Sequence, residues 1–310
     1  MMRFPVPGRR KWLCLLALTV LCAAAARADN QRTDTLRRAF HHLYSFEFDA
    51  ANEVLDGFHQ RYPGDPMGYG VRAAVYLFYE LDRLGLLASG FFQDQGEKLK
   101  GQNLKPDPEL KAKLLQVIHE GRRHAEWALE KDPKDPEALF ALSTLAGVES
   151  DYVFLVEKKR MGSLSLKKES HGYSRRLLEI DPSYYDAYLT TGFYEYLVGD
   201  LPFFVRWFVR FEDVQGRKQT GFERLQLVAA SGKYCAGFAK ILLAALYLRE
   251  KRLEECRDVL AELVAEYPKN PLFPKELNKI RRKLGLAQAA GPPAAQLGAS
   301  SPDASGGLHP

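Results

Sequence analysis

The residue types that most often bind metals or catalyse reactions are poorly spaced for either task in this sequence. The adjacent residues His41 and His42 would point to different faces of a helix. His119 and His124 are five residues apart, whereas paired metal ligands on one helical face stand four apart. Zinc-ligand spacings, phosphate-binding glycine loops and nucleophile elbows are absent from the sequence. We therefore predict no catalytic, metal-binding or cofactor-binding residue, and an enzyme would need a site assembled from distant parts of the chain.

The cysteines do not suggest a disulfide framework. Cys14 and Cys22 lie in the N-terminal apolar segment, which leaves Cys235 and Cys256 in the rest of the chain. If these two lie on the arms of one helical hairpin that turns near Lys251, they are roughly 15 Å apart along its axis, beyond the ~7 Å limit for a bridge. We predict two buried free thiols.

The strongest candidate for binding chemistry is an aromatic and basic segment, residues 201–211, with the sequence LPFFVRWFVRF. On a helix, the aromatic residues at positions 204, 207, 208 and 211 share one face, and the two arginines form a stripe on another. Such an element suits a membrane surface or a partner helix. It also fits a core helix whose arginines extend into solvent. The candidate partner-binding or membrane-binding residues are Phe203, Phe204, Arg206, Trp207, Phe208, Arg210 and Phe211.

Residues 1–28 have the plan of a signal peptide. Basic residues occupy positions 3 and 9–11, an uncharged apolar run covers positions 12–26, and Ala26 and Ala28 frame the end. We predict cleavage between Ala28 and Asp29. An uncleaved anchor is the alternative, although a run of fifteen residues is shorter than the ~20 that cross a bilayer as a helix. The expected location is the periplasm or the extracellular space, with membrane association as a further option.

The positive charge of the whole chain comes from this leader. The chain has 44 basic and 39 acidic residues, and five of the basic residues lie within positions 1–28 with no acidic one. Without the leader the two signs balance at 39 each. The composition therefore indicates no nucleic-acid partner.

The main domain is bounded by the leader and by a tail. From Gly291 onward the chain reads GPPAAQLGASSPDASGGLHP, which is too poor in bulky apolar residues to offset the entropy of ordering. We predict a folded domain over residues 29–286 and a disordered tail over residues 287–310.

A helix-stop and helix-start pattern recurs along this domain. Proline cannot continue a helix but is favourable in the first turn of the next one. Residues 230–234, ASGKY, form a fifth and degenerate junction, 34 residues before Pro268. The four clear junctions are Tyr62–Pro66, Asp132–Pro136, Asp181–Tyr185 and Tyr267–Pro271.

These junctions and the residues around them resemble the tetratricopeptide repeat, which has a period of ~34 residues. The final unit is the most similar, with Leu243, Ala244 and Tyr247 on its first helix and Cys256 at the small position of its second. The resemblance implies an all-α solenoid of antiparallel helical hairpins, ended by a capping helix near residues 274–284. The whole chain resembles bacterial exported repeat proteins with aromatic-rich insertions between repeats.

Three segments lengthen the spacing between junctions. The first, about residues 84–108, predicts a glycine-rich loop with Phe91 and Phe92 at its tip, or else two phenylalanines that fill the core. The second, about residues 148–166, predicts a helix extension with a solvated basic end and no further function. The third contains the aromatic segment 201–211.

The resemblance also implies a concave groove lined by the first helices of successive hairpins. The groove would be unusually apolar, so it would either take a hydrophobic ligand segment or be filled by the chain's own insertions; we expect self-filling. The positions carried over by register are Met67, Leu77, Phe78, Phe140, Thr144, Leu189, Phe193 and Tyr196.

Together these features predict a non-catalytic, exported helical-repeat scaffold that binds an unidentified protein or peptide and needs no cofactor. The alternative is a peripheral membrane protein that uses residues 201–211, and a third hypothesis is an enzyme with a non-local site.

Overall fold

The computed structural model describes residue 27 and residues 29–87, 105–200 and 218–286, and every regular element in these ranges is a helix. The first helix, α1, covers residues 29–44. The others are α2 (Phe48–Arg61), α3 (Pro66–Arg83), α4 (Pro108–Lys131), α5 (Pro136–Asp151), α6 (Arg160–Ile180), α7 (Tyr188–Asp200), α8 (Lys218–Ser231), α9 (Ala236–Arg249), α10 (Leu253–Glu266) and α11 (Leu272–Lys283).

Consecutive helices form antiparallel hairpins, as predicted. Helices α3 and α4, α5 and α6, α7 and α8, and α9 and α10 pack against each other, and α11 packs on α10 at the end of the array. The all-α hairpin fold with a C-terminal helix is thereby confirmed. The last helix starts two residues earlier than the predicted range.

Each predicted junction separates two helices in the structure. At two of them, Asp65 and Asp135 accept hydrogen bonds from the backbone of the first turn, and the following proline lies inside the helix. Asp107 caps α4 in the same way. The degenerate junction also holds, because α8 ends at Ser231 and α9 begins at Ala236.

The odd-numbered helices from α1 to α9 start at one end of the array, which we call the junction end. Arg32 near the start of α1 binds Asp65 before α3 and Glu137 in the first turn of α5. The opposite end, which we call the insertion end, holds the turns inside each hairpin. All three inserted segments therefore attach at the insertion end.

Turns at the insertion end share one backbone device. Phe46, Lys158 and Lys251, which follow α1, α5 and α9, all have a positive φ near 60°. In two of these turns the next amide donates to the carbonyl five residues back, Glu47 to His42 and Arg252 to Tyr247. This is the left-handed helix ending that usually takes glycine.

The second insertion differs from its prediction. A π-helical turn, Tyr152–Val156, extends α5 as expected, but the chain then reverses at Lys158 and a new helix begins at Arg160. Lys158 and Lys159 after this extension are exposed, which agrees with the predicted solvated basic end, whereas the reversal and the new helix were not expected.

The array closes on itself through α1. Asn270, after α10, donates to the backbone oxygen of Tyr44 at the end of α1 over 2.7 Å, and Lys269 forms an ion pair with Glu47. Tyr44 also packs edge-on against Tyr267. Helix α1 thus joins the first hairpin to the last.

The interior positions agree with the repeat pattern. Cys235 and Cys256 are buried free thiols, as predicted.

Within the described residues, only the stretch Pro136–Val156 is long and apolar enough to cross a membrane by length and composition. Because 56% of its apolar window is buried against neighbouring helices, a core position accounts for its composition.

Candidate functional site

The predicted groove is filled in the structure. Met67, Leu77, Phe78, Phe140 and Tyr196 are all buried, with at most 8% of the surface of any of them exposed. The other three positions, 144, 189 and 193, are half-buried. These residues therefore belong to the core and do not line an open peptide-binding groove.

The groove is filled by other helices of the array. Phe78 contacts Tyr44 of α1 and Phe238 of α9 through edge-on ring packing. Phe140 packs against Tyr184 and Tyr234, which precede α7 and α9. Self-filling was expected from the insertions, but these contacts come from α1, α9 and the junctions. The expectation differed from the structure because the packing of α1 against distant helices is not encoded in the local sequence.

A network of charged and phenolic groups lies at the junction end. Glu137 accepts hydrogen bonds from Arg32 at 3.1 Å and from Tyr184 at 3.0 Å, and it pairs with Lys233 at 3.4 Å. Burial opposes the charge on Arg32, but Asp65 and Glu137 outweigh it and raise the pKa of the guanidinium. Burial raises the pKa of Tyr184 well above its usual value. The network joins the starts of five helices, α1, α3, α5, α7 and α9.

Asp186 supplies the cap that the degenerate junction lacks. Its carboxylate, 1% exposed, accepts hydrogen bonds from the backbone amides of Lys233, Tyr234 and Cys235 at 2.7 to 2.9 Å. Burial raises the pKa of Asp186, and these three donors act in the opposite direction. No local sequence signal marks this residue as a cap, because its partners are 47 to 49 positions away.

A cleft of about 450 Å³ opens beside this network, between α1 and the start of α9. Its floor is aromatic: Phe40, Tyr44 and Tyr267 come from α1 and the end of α10, and the exposed ring of His41 lies 5.2 Å from that of Tyr267. Gly237 lets the two sides approach, because an added Cβ would lie 2.9 Å from Tyr44 Cδ2. We call this site the α1–α9 cleft.

The rim of the α1–α9 cleft carries more positive than negative charge. Arg37, Arg38 and Lys233 line it together with one acid, Asp34, which is 3.9 Å from Arg37. Burial disfavours the charged form of Lys233, but Tyr234 and Glu137 favour it more strongly and raise the pKa of the ammonium group. The cleft is therefore suited to a ligand with an apolar group and negative charge.

At the insertion end, buried or half-buried glutamates tie together the helices that flank two of the inserted segments. Glu80 is fully buried, binds Arg83 at 2.8 Å and accepts the amide of Asp107 at 2.9 Å, so it ties α3 to α4 across the first insertion. Glu250 binds Tyr196 of α7 and Lys218 of α8 across the third, at 2.7 and 2.9 Å. The described ends of both segments are thus held side by side.

Three large apolar side chains are exposed near the second insertion. Met161 is 81% exposed, Leu164 53% and Phe154 47%. One sequence signal could have identified this exposed surface: Met161 and Leu164 closely follow the pair Lys158-Lys159.

The aromatic and basic candidates Phe203 to Phe211 lie outside the described residues, as do Phe91, Phe92 and the cleavage-site residue Ala28. Asp29 is described and begins the continuous part of α1. Among the residues that the structure describes, no group of three or more His, Cys, Asp or Glu side chains could hold a metal ion.

Comparisons with known proteins add little to these observations. The chain matches no known protein family and no curated protein. It is similar to the crystal structure of a thermophilic tetratricopeptide-repeat protein from Thermus thermophilus, with 14% identity, a TM-score of 0.44, and coverage of 80% of this chain and 98% of that one.

Proposed function

We propose that this protein is an exported, non-catalytic helical-repeat scaffold that holds a segment of another protein in the α1–α9 cleft. The observation that carries the proposal is the cleft itself, which combines an aromatic floor with a rim of arginine and lysine. Aromatic and arginine side chains are enriched where proteins recognise one another.

The volume and charge of the cleft define the segment. A cavity of about 450 Å³ accommodates a few side chains, so the partner contributes a short stretch of chain. The basic rim favours acidic residues in that stretch, and the floor favours at least one apolar or aromatic side chain. Export rests on the leader, and a mature N-terminus other than Asp29 in the secreted protein would contradict the proposed cleavage.

Selection from a random peptide library displayed on phage tests the binding site. Peptides enriched on the protein should bind the variant Arg37→Glu with Arg38→Glu at least about tenfold more weakly, because two favourable rim charges become repulsive. The matched control, Lys113→Glu with Arg123→Glu, makes the same charge change on exposed positions of α4 and should leave affinity unchanged. A selection without enriched peptides, or equal loss in both variants, would contradict the proposal.

Two alternatives remain predictions. Peripheral membrane attachment through residues 201–211 concerns a segment outside the described residues. A non-local enzyme site would be revealed by turnover in a broad screen of substrates with the purified protein.

A further inference from the structure

The π-helical turn after α5 is anchored by buried side chains at both ends and exposes the side chain between them. Tyr152 and Val156 are buried at its two ends, while Phe154 between them is exposed. The amide of Lys159 donates to the oxygen of Val153 at 3.0 Å, which closes the turn. The turn therefore holds its outward side chains in place before any partner arrives.

The start of α6 continues the same surface. An added Cβ at Gly162 would lie 3.4 Å from Val153 Cγ1, so the turn packs directly on the first turn of α6. Met161 and Leu164, three residues apart, share an outward face of this helix start. We call Phe154 on the turn and Met161 and Leu164 on the helix the insertion-end patch, because all three are exposed on two packed elements.

The charge around the insertion-end patch is positive. Lys158, Lys159 and Lys168 are exposed. The nearby acids are engaged within the protein: Glu157 pairs with Lys111 and Lys159, and Asp151 pairs with Lys167 at 2.7 Å. Hydrogen bonds from Lys111 and Lys159 lower the pKa of Glu157, so its negative charge persists but is compensated locally.

We infer that the insertion-end patch docks on an anionic lipid bilayer. Its apolar side chains project from a turn and a helix start and do not line either of the two clefts beside α1. Projecting apolar side chains enter the deformable interface of a bilayer, and surrounding lysines are attracted to anionic headgroups. This inference goes beyond the proposed function, because the patch lies on α5 and α6, whereas the α1–α9 cleft is lined by residues of α1, the start of α9 and Tyr267.

Vesicle flotation tests the inference with the chain that begins at Asp29, which contains α1 to α11 and lacks the apolar leader run that would itself bind lipid. The protein should float with vesicles of phosphatidylglycerol and phosphatidylcholine, and much less with phosphatidylcholine alone or in 0.5 M NaCl. The variant Met161→Ser with Leu164→Ser should lower the bound fraction at least about fivefold, and Lys158→Glu with Lys159→Glu should do the same.

The matched control is Ile180→Ser with Leu227→Ser, which removes two exposed apolar side chains at the junction end and should float like the unaltered protein. Circular dichroism before flotation establishes that each variant is folded. No flotation of the unaltered protein overturns the inference. So does undiminished flotation of the Met161 and Leu164 variant, including the case in which only Trp207→Ala with Phe208→Ala abolishes it.

Discussion

At the residue scale, Asp186 shows how a distant carboxylate replaces a local cap. Junctions with Asp65 and Asp135 carry their acceptor next to the helix that they cap. The junction before α9 has Gly232 and no proline, and its amides are satisfied from the start of α7. The carboxylate of Asp186 thus serves the amides before α9 as Asp65 and Asp135 serve the first turns of their own helices.

His171 is a buried histidine whose pKa is strongly lowered. It is 9% exposed and stacks on Tyr194 with ring centroids 4.3 Å apart. Burial lowers its pKa to about 4, and the positive charges of Arg175 and Arg224 act in the same direction. The folded protein therefore keeps this ring neutral at pH values where the unfolded chain protonates it.

Acidification should therefore destabilise the protein through His171. Because the folded pKa lies below the unfolded one, the unfolded chain binds more protons between pH 6.5 and 4, and stability falls as the pH falls through this window. From pH 7 to pH 5 the expected loss is about 2 kcal/mol. Urea unfolding at both pH values measures it.

The variant His171→Phe keeps an aromatic ring against Tyr194 and should reduce this loss. His119→Gln, at an exposed position of α4, is the matched control and should leave it intact. An equal pH dependence in all three proteins would show that other groups cause it.

At the element scale, glycines and small residues set how closely the helices approach. An added Cβ on Gly221 of α8 would lie 2.8 Å from the backbone oxygen of Gly192 in α7. This close contact joins the two helices of one hairpin.

Gly237→Ala should lower the free energy of unfolding by about 2 kcal/mol. The new methyl group would overlap with the oxygen of Tyr267 and lie 2.9 Å from Tyr44 Cδ2. Removing that oxygen with Tyr267→Phe in the double variant should recover part of the loss. Urea unfolding of the single and double variants measures both effects.

A second helical glycine provides the contrast. Gly172 in α6 has nothing within 4 Å of an added Cβ, so Gly172→Ala should stabilise by up to about 1 kcal/mol through helix propensity. Destabilisation of the same size at both positions would contradict the role of close approach at Gly237.

At the scale of the whole molecule, α1 turns a row of hairpins into a closed structure. Its contacts reach Asp65, Glu137, Tyr234 and Asn270, which lie in or directly after four different junctions. A solenoid whose ends are free unfolds by repeats, because each repeat contacts only its neighbours. Closure predicts that the first and last hairpins lose structure together.

The side chain of Asn270 has two roles, local capping of α11 and contact with α1, and one substitution can remove the second without the first. Its side-chain oxygen accepts from Leu272 at the start of α11, and its amide group donates to the Tyr44 oxygen. Asn270→Asp keeps the acceptor but loses the donor, so it should destabilise by about 2 kcal/mol and increase amide hydrogen exchange in α1. Asn278→Asp, half-buried within α11, is the control. Unchanged exchange in α1 would contradict the closing role.

The sequence by itself determined the helix boundaries at the junctions and the hairpin class of the fold. Proline and a capping aspartate act over a few residues, so their steric and hydrogen-bonding effects can be read from local order. The free thiols follow from helical spacing in the same way.

Only the tertiary structure decided which surfaces remain available. The filling of the predicted groove, the remote cap from Asp186 and the α1–α9 cleft all depend on groups at least 34 residues apart, brought together by the packing of α1 on distant helices. That packing is the sum of many contacts, none of which leaves a local pattern. The sequence therefore indicated an array of hairpins, and the closure of that array determined where it can bind.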